Sequence, residues 1–259
     1  MYCNANFDLG KLSDKARIDN MLEKISTDFF KDFGIIPYIG VEIEFYLKND
    51  DISGAPFTIK KEKGKFQYEI DLDPTSDLTS YVSSIETAKS KLKSWRNDID
   101  FSPKPFQEDY GNSMHFHVNF LNRFGENHFD DLGNLHIAAS ALCHFLISHF
   151  AIFAPEEDCY KRFDHKFMAP TCVSYGGNNR TVAIRIPSLG PKRLEHRVSS
   201  PTTDSYLAIY YILNAIYSAM QNPSEITEYN KIHGNAFDEQ YRATKFPSSL
   251  EDAYNKLFS

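Results

Sequence analysis

Apolar residues recur along the chain at two spacings, one typical of helices and one typical of strands. Leu22, Ile25 and Phe29 repeat every three or four residues, whereas Ile43 and Phe45 alternate with polar residues. The helical spacing predicts helices over residues 14–33, 76–95, 131–154, 204–220 and 247–258, with Ser13 as the N-cap of the first. The alternating spacing predicts strands over residues 39–47, 66–72, 113–121, 173–175, 181–186 and 194–198.

The order of these elements favours an α+β fold. Strands and helices follow one another without the regular strand–helix–strand alternation that builds a parallel sheet. We therefore predict a curved, largely antiparallel sheet flanked by helices. The sequence contains no repeat, low-complexity tract or linker that would mark a second domain.

Composition excludes several classes of protein. With 259 residues and a hydrophobic fraction of 42%, the chain can bury a large core, so it is not disordered as a whole. Its 28 basic and 35 acidic residues give a net charge of −7, which argues against nucleic-acid and membrane-surface partners.

The N-terminus lacks the apolar core of a signal peptide, and polar residues interrupt the most hydrophobic stretch, 135–153. We therefore expect a cytoplasmic protein without a membrane span.

Carboxylates stand two residues apart in the first predicted strand. This period places Glu42 and Glu44 on one face and their apolar neighbours on the other. A solvated strand face would tolerate such a pair, and a divalent cation between the two charges is the alternative. His115 and His117 repeat the spacing in a later strand, and Glu62 is followed by a second carboxylate at Glu69.

Arginine is concentrated in one part of this acidic chain. Arg193 and Arg197 flank Glu195 on one strand face, which is either an internal salt-bridge ladder or a site for a further anion. The segment from 162 to 197 holds five arginines, namely Arg162, Arg180, Arg185, Arg193 and Arg197. Carboxylates with an imidazole suit Mg²⁺ or Mn²⁺, and together with arginines they are typical of phosphoryl transfer.

Taken in chain order, these motifs resemble the catalytic domain of the glutamine synthetase family. The segments that carry the resemblance are GVEIEF at 40–45, EKGKFQYE at 62–69, KP at 104–105, MHFH at 114–117, YKR at 160–162, AP at 169–170, NR at 179–180, RIP at 185–187, RLEHR at 193–197 and PSSLEDA at 247–253. The resemblance implies a glutamine synthetase-like catalytic domain over residues 35–259, preceded by a helical segment over residues 1–34.

The resemblance also implies roles for individual residues. One Mg²⁺ or Mn²⁺ would be held by Glu44, Glu62 and Glu69, and a second, on the phosphates of the co-substrate ATP, by Glu42, His115 and Glu195. Arg162, Arg180, Arg197 and Gly111 would bind the amino-acid substrate, and His117, Arg185 and Arg193 would bind ATP. The catalytic residues would be Arg180, Arg162 and Glu62.

The implied activity is that of an ATP-dependent glutamate–amine ligase. Glutamate would form a γ-glutamyl phosphate, and ammonia or an amine would displace phosphate to give glutamine or a γ-glutamyl amide. A non-catalytic relative that binds nucleotide or glutamate as a sensor or partner protein is the alternative. A third hypothesis is a ligase or kinase of the same fold that acts on another carboxylate.

Three departures from the family pattern bear on the choice among these hypotheses. Met168 stands where typical members have a glutamate that shields the intermediate and helps to deprotonate ammonium, so a larger amine is an alternative substrate. Tyr110–Ser113 stands where the family usually has Asn-Gly-Ser-Gly. About 35 residues precede the first strand, so we expect no N-terminal β-grasp domain. A homo-oligomer is then possible, but not the usual ring of the family.

Overall fold

The structure is a computed structural model that describes residues 15–241 and 243–257. Its α-helices are α1 (Lys15–Phe33), α2 (Leu78–Trp95), α3 (Leu132–Leu146), α4 (Phe150–Phe153), α5 (Glu157–Tyr160), α6 (Ser205–Gln221) and α7 (Leu250–Leu257). Its strands are β1 (Ile35–Tyr46), β2 (Ile59–Lys61), β3 (Gln67–Thr75), β4 (Met114–Asn122), β5 (Tyr175–Gly176), β6 (Ile184–Arg185) and β7 (Leu194–His196). Short 3₁₀ turns lie between some of these elements.

The seven strands form one sheet in the order β2-β3-β1-β4-β7-β6-β5. Every neighbouring pair is antiparallel except β5 and β6, which run parallel. The predicted α+β class with a largely antiparallel sheet is therefore confirmed. The long strands β1, β3 and β4 form the middle of the sheet, and the shortest strands lie at one edge.

The two faces of the sheet differ in chemistry because side chains alternate along each strand. In β1, Val41, Ile43 and Phe45 are almost completely buried in the main hydrophobic core. That core also takes in the apolar faces of α1, α2, α3 and α6. Glu42 and Glu44 project from the opposite face of the same strand, which no long helix covers.

Helix α1 is part of this core. Phe29 is fully buried, and its ring lies 4.7 Å from that of Phe120 in β4 and 5.3 Å from that of Tyr217 in α6. The predicted helix over 14–33 agrees with α1 from Lys15 onward, whereas Ser13 and Asp14 lie outside the described residues. The predicted division of the chain at residue 34 stays a prediction.

The single long helix predicted over 131–154 is wrong. The helix ends at Leu146 and resumes at Phe150 as the short α4. The Ser148 hydroxyl donates to the carbonyl of Phe145 at 3.0 Å, and such a bond competes with the helical hydrogen bonds at the break. The apolar pattern continues through the break because both pieces are buried.

Two further elements, β2 and α5, were not predicted from the sequence. β2 has three residues and α5 has four, so neither is long enough to show a period. Among the described residues, no helix is long and apolar enough to cross a membrane.

We predict that Phe29→Ala lowers the free energy of unfolding by about 3–5 kcal/mol, because it removes a fully buried ring. The matched control is Phe30→Ala, in the same helix, where the side chain is 51% exposed and a change of about 0.5 kcal/mol or less is expected. Urea denaturation measures both. Equal effects of the two substitutions would show that α1 does not unfold with the sheet.

Candidate active site

The polar face of the sheet carries a band of charged side chains that runs across the strands. The strand register places Glu44 of β1 opposite Glu69 of β3, and Glu42 of β1 opposite His115 of β4. On the other side of β4, His117 pairs with Glu195 of β7, which in turn pairs with Arg185 of β6. Residues far apart in sequence are thus brought together by antiparallel pairing alone.

Two carboxylates of this band face the Nδ1 atom of one histidine. His115 Nδ1 lies 3.1 Å from Glu42 Oε2 and 3.7 Å from Glu195 Oε1. One ligand atom each from Glu42, Glu69 and His115 lies within 4.8 Å of the others. Two carboxylates and an imidazole at this spacing could close around one divalent cation.

His117 lies beside this cluster and is held from both sides. Its Nδ1 accepts a hydrogen bond from Arg193 Nε at 3.1 Å, and its Nε2 lies 2.9 Å from Glu42 Oε1. Because Nδ1 accepts, the ring proton is assigned to Nε2, where it faces the carboxylate. The Arg193 guanidinium therefore lies beside His117 in this band.

Glu44 is fixed by donors from the loop before β4 and from the first residue of β3. Its Oε2 accepts from the backbone N–H of Ser113 at 2.6 Å and from the Ser113 hydroxyl at 2.7 Å. The Gln67 amide lies 3.4 Å from the same oxygen and donates to the carbonyl of Gly111 at 2.9 Å. Glu62, which follows β2, lines the same cavity as Glu44.

Burial and mutual repulsion dominate the electrostatics of the carboxyl groups. Burial, with the nearby charges of Glu42 and Glu44, raises the pKa of Glu69 well above its ordinary value, and burial also raises the pKa of Glu44. For Glu42 burial acts in the same direction, but the adjacent imidazoles of His115 and His117 outweigh it and lower the pKa. On the β3 side, the positive group near Glu69 is Lys60, whose Nζ lies 3.7 Å from Glu69 Oε1 on a half-exposed side chain, and it does not offset burial and repulsion.

This imbalance fits a pair of divalent cations. Hard oxygen ligands facing one another below a sheet are the donors that Mg²⁺ and Mn²⁺ prefer, and a cation there would remove the repulsion that raises the Glu69 pKa. Glu44, Glu62 and Glu69 could hold one ion. Glu42, His115 and Glu195 could hold the other.

Glu195 is clamped by two guanidiniums. Arg197 Nη1 donates to one of its oxygens and Arg185 Nη1 to the other, each at 2.6 Å. These charges overcome the effect of burial and lower the pKa of Glu195 to about 2. The expectation that Arg193 and Arg197 flank Glu195 is wrong in part, because the second guanidinium comes from β6 and Arg193 turns to His117.

Arg162 is buried behind the cavity rather than standing free in it. Its Nη2 donates to the carbonyls of Val198 and Ser199, the latter at 2.8 Å, and contacts that of Arg197. Burial, with the neighbouring Arg197 charge, lowers the pKa of Arg162 to about 10. The Nε atoms of both arginines are buried without a hydrogen-bond partner among the described residues, so each could still bind an anionic substrate.

A cavity of about 380 Å³ opens over the carboxylates. Arg180, which is exposed, and Arg197 line it together with Glu62 and Gly111. One wall is largely apolar and consists of Tyr110, Phe167, Met168, Ala169 and Pro170. A small molecule in this cavity would contact charges on one side and carbon on the other.

Gly111 lies where no side chain fits. A Cβ atom there would lie 2.6 Å from Arg162 Cβ and 2.8 Å from the carbonyl oxygen of Pro103. The glycine therefore allows its loop to pass directly over the buried arginine.

Seven of the predicted site residues line this cavity, namely Glu44, Glu62, Gly111, His115, Arg162, Arg180 and Arg197. The other six lie in or beside the band, namely Glu42, Glu69, His117, Arg185, Arg193 and Glu195. The sequence did not predict a role at this site for Ser113, Gln67 or Asn178. Asn178 accepts a hydrogen bond from the Arg185 guanidinium at 2.6 Å. Gln67 links Glu44 to the loop that contains Gly111. Ser113 could have been found from its period-two spacing to His115. Nothing in the sequence indicates the role of Asn178.

We predict that Glu69→Gln stabilises the metal-free protein at pH 8 by about 1–3 kcal/mol. The pKa of Glu69 is raised in the folded state, so ionisation favours the unfolded state, and metal-free wild type loses stability as the pH rises above the ordinary value for glutamate. The gain should shrink at pH 4.5. Denaturation in the presence of a chelator, at both pH values, measures it.

Added Mg²⁺ should stabilise the wild type and have less effect on Glu69→Gln, because the variant has lost a charged ligand. Glu23→Gln, on the exposed side of α1, is the matched control and should match wild type throughout. A gain of the same size at pH 4.5 and pH 8 would refute the electrostatic explanation.

Comparison with known proteins agrees with this geometry. The catalytic domain of the glutamine synthetase family matches residues 52–259. Gamma-glutamylputrescine synthetase PuuA of Escherichia coli is 32% identical over 203 residues, covering 74% of this chain and 42% of that protein. Glutamine synthetase of Sulfolobus acidocaldarius is 27% identical over 262 residues, covering 93% of this chain and 51% of that protein.

The fold also matches solved structures. A GmaS/ADP complex superposes with a TM-score of 0.77 at 22% identity, covering 93% of this chain and 67% of that one. Apo GmaS without ligand gives the same score at 23% identity. The chain spans about half the length of the curated relatives described above. With the family's catalytic domain matched over 52–259, the chain belongs to the glutamine synthetase family.

Proposed function

We propose that this chain carries the active site of an ATP-dependent glutamate–amine ligase. The observation that carries the proposal is the band of four carboxylates and His115, which with Glu62 adjoins a cavity bordered by arginines. Such an arrangement suits two polyanionic substrates, because cations and guanidiniums together neutralise their charges. The relatives named glutamine synthetase and gamma-glutamylputrescine synthetase support this reaction class. The cytoplasmic location stays a prediction.

The reaction takes place in two steps. A γ-carboxylate oxygen of glutamate attacks the terminal phosphorus of ATP, the bond to ADP breaks, and γ-glutamyl phosphate forms. The nitrogen of an amine then attacks the acyl carbon, loses a proton, and phosphate leaves. Glu44, Glu62 and Glu69 would hold one divalent cation and Glu42, His115 and Glu195 a second, and these ions would supply positive charge to the transferring phosphoryl group.

The other side chains of the site bind the substrates or accept a proton. Arg180 and Arg197 bind the glutamate carboxylates and the transferred phosphoryl group from the cavity side. Arg162 supports that wall through the bonds of its Nη2 to the carbonyls of Val198 and Ser199. Arg185, Arg193 and His117 lie toward the far end of the band, where the phosphates and nucleotide bind. Glu62 at the cavity edge is placed to accept a proton from the incoming amine.

We predict that Arg180→Ala lowers kcat/KM about 10²–10³-fold, because it removes one preorganised positive group from the cavity. Phosphate release is measured with ATP, Mg²⁺ or Mn²⁺, glutamate and a panel of amines. Arg123→Ala is the matched control, since Arg123 is also exposed but does not line this cavity, and its activity should equal that of wild type.

Other outcomes identify the alternatives. Release that requires both glutamate and an amine supports the ligase. Tight ATP binding without turnover under any condition would contradict it and favour a non-catalytic sensor or partner protein. Turnover that proceeds without glutamate but with another acid would point to the third hypothesis.

The apolar wall supports a carbon-substituted amine as the acceptor. The Met168 side chain is 43% exposed and lines the cavity, where a thioether offers contact to carbon and no negative charge for ammonium. We predict that kcat/KM rises from ammonium through methylamine to propylamine. Burying one methylene group contributes about 0.8 kcal/mol, so each added carbon should raise kcat/KM about fourfold.

Met168→Ala should reduce this dependence on chain length, because the cavity loses its apolar contact. Leu189→Ala is the control, since Leu189 is 81% exposed and lies outside the cavity. A preference for ammonium over every alkylamine would refute the apolar acceptor site while leaving the ligase reaction intact.

A further inference from the structure

Ser113 contacts a member of each of the two groups of candidate metal ligands. Its Oγ lies 2.7 Å from Glu44 Oε2 and 2.8 Å from His115 Nε2, and its backbone N–H donates to the same Glu44 oxygen at 2.6 Å. The residue is 6% exposed, so water competes little for these bonds. A single hydroxyl therefore bridges a carboxylate of one group and the imidazole of the other.

The direction of these bonds follows from the available protons. A hydroxyl has one proton to donate, and Glu44 Oε2 already acts as an acceptor for the backbone N–H of Ser113. The Ser113 proton therefore goes to Glu44, and its oxygen accepts from His115 Nε2–H. This leaves His115 Nδ1 directed toward Glu42 at 3.1 Å and Glu195 at 3.7 Å.

We propose that Ser113 is a positioning residue that couples the two candidate cation sites. It holds Glu44 toward one site and fixes His115 with Nδ1 toward the other, in the way that outer-shell partners orient metal ligands. The proposal rests on the proposed function, because it requires that both groups hold cations. Ser113 stands where the family pattern compared with Tyr110–Ser113 ends in glycine, so that pattern does not itself supply this hydroxyl.

The first test is a calorimetric titration of the full chain with Mn²⁺ alone. Ser113→Ala should weaken binding at both sites by about 10–100-fold, the usual effect of losing an outer-shell partner. Ser113→Thr keeps the hydroxyl and should restore most of the affinity. Ser140→Ala is the matched control, because Ser140 is a buried serine in α3 that bonds Tyr229 away from the site, and its affinities should equal those of wild type.

The second test observes the hydrogen bond itself by NMR of histidine-labelled protein. The His115 Nε2–H signal, assigned by its absence in His115→Asn, should be protected from exchange with water in wild type and Ser113→Thr. In Ser113→Ala the protection should be lost. A substitution that merely loosened the fold would instead change the signals of the buried His196 as well.

The outcomes separate this proposal from the function on which it rests. If Ser113→Ala weakens only one site or neither, or if His115 stays protected, the coupling is refuted and the ligase proposal stands. If wild type binds no Mn²⁺ at all, the cation sites and their coupling are refuted together.

Discussion

Like charges in close contact are the constraint around which the polar face of this fold is organised. Glu42, Glu44 and Glu69 lie side by side on neighbouring strands, partly or wholly removed from water, where their repulsion is strong. On the β4 side the sheet supplies its own positive groups, namely histidines and the arginines of β6 and β7. On the β3 side such groups are few, and the carboxyls there are the ones whose charge a bound cation would have to balance.

A second constraint is the close approach of two loops to the strands beneath them. Gly64 lies against the Tyr46 ring, and Gly111 lies against Arg162, each at a point where a Cβ atom would collide. The Tyr46 hydroxyl donates to the carbonyl of Tyr110 at 2.9 Å, and Gln67 reaches the neighbouring carbonyl. The loop after β2 and the loop before β4 therefore hold each other in place over the carboxylates.

Much of this arrangement could be predicted from sequence, because period-two alternation fixes which side chains share a face. Glu42, Glu44, His115 and Glu195 were placed in this way, and the structure brings them together. Partners that depend on register between distant strands could not be predicted. The choice of Arg185 over Arg193 for Glu195 is such a case, since it is decided by the pairing of β6 with β7. The helix break after Leu146 could not be predicted either, because buried apolar residues continue on both sides of it and the bond from the Ser148 hydroxyl to the Phe145 carbonyl is a local detail.

The strands that carry the site differ in length, and their resistance to local opening differs accordingly. The carboxylates and histidines lie mostly on strands of nine to twelve residues, whereas Arg185 and Glu195 lie on strands of two and three. Short strands have few backbone hydrogen bonds to resist local opening. One half of the site is thus rigid before any ligand arrives, and the arginine half is compliant. Adjustment to substrates of different size would be made where Arg185 and Glu195 lie, while Glu42, Glu44, Glu69 and His115 keep their positions.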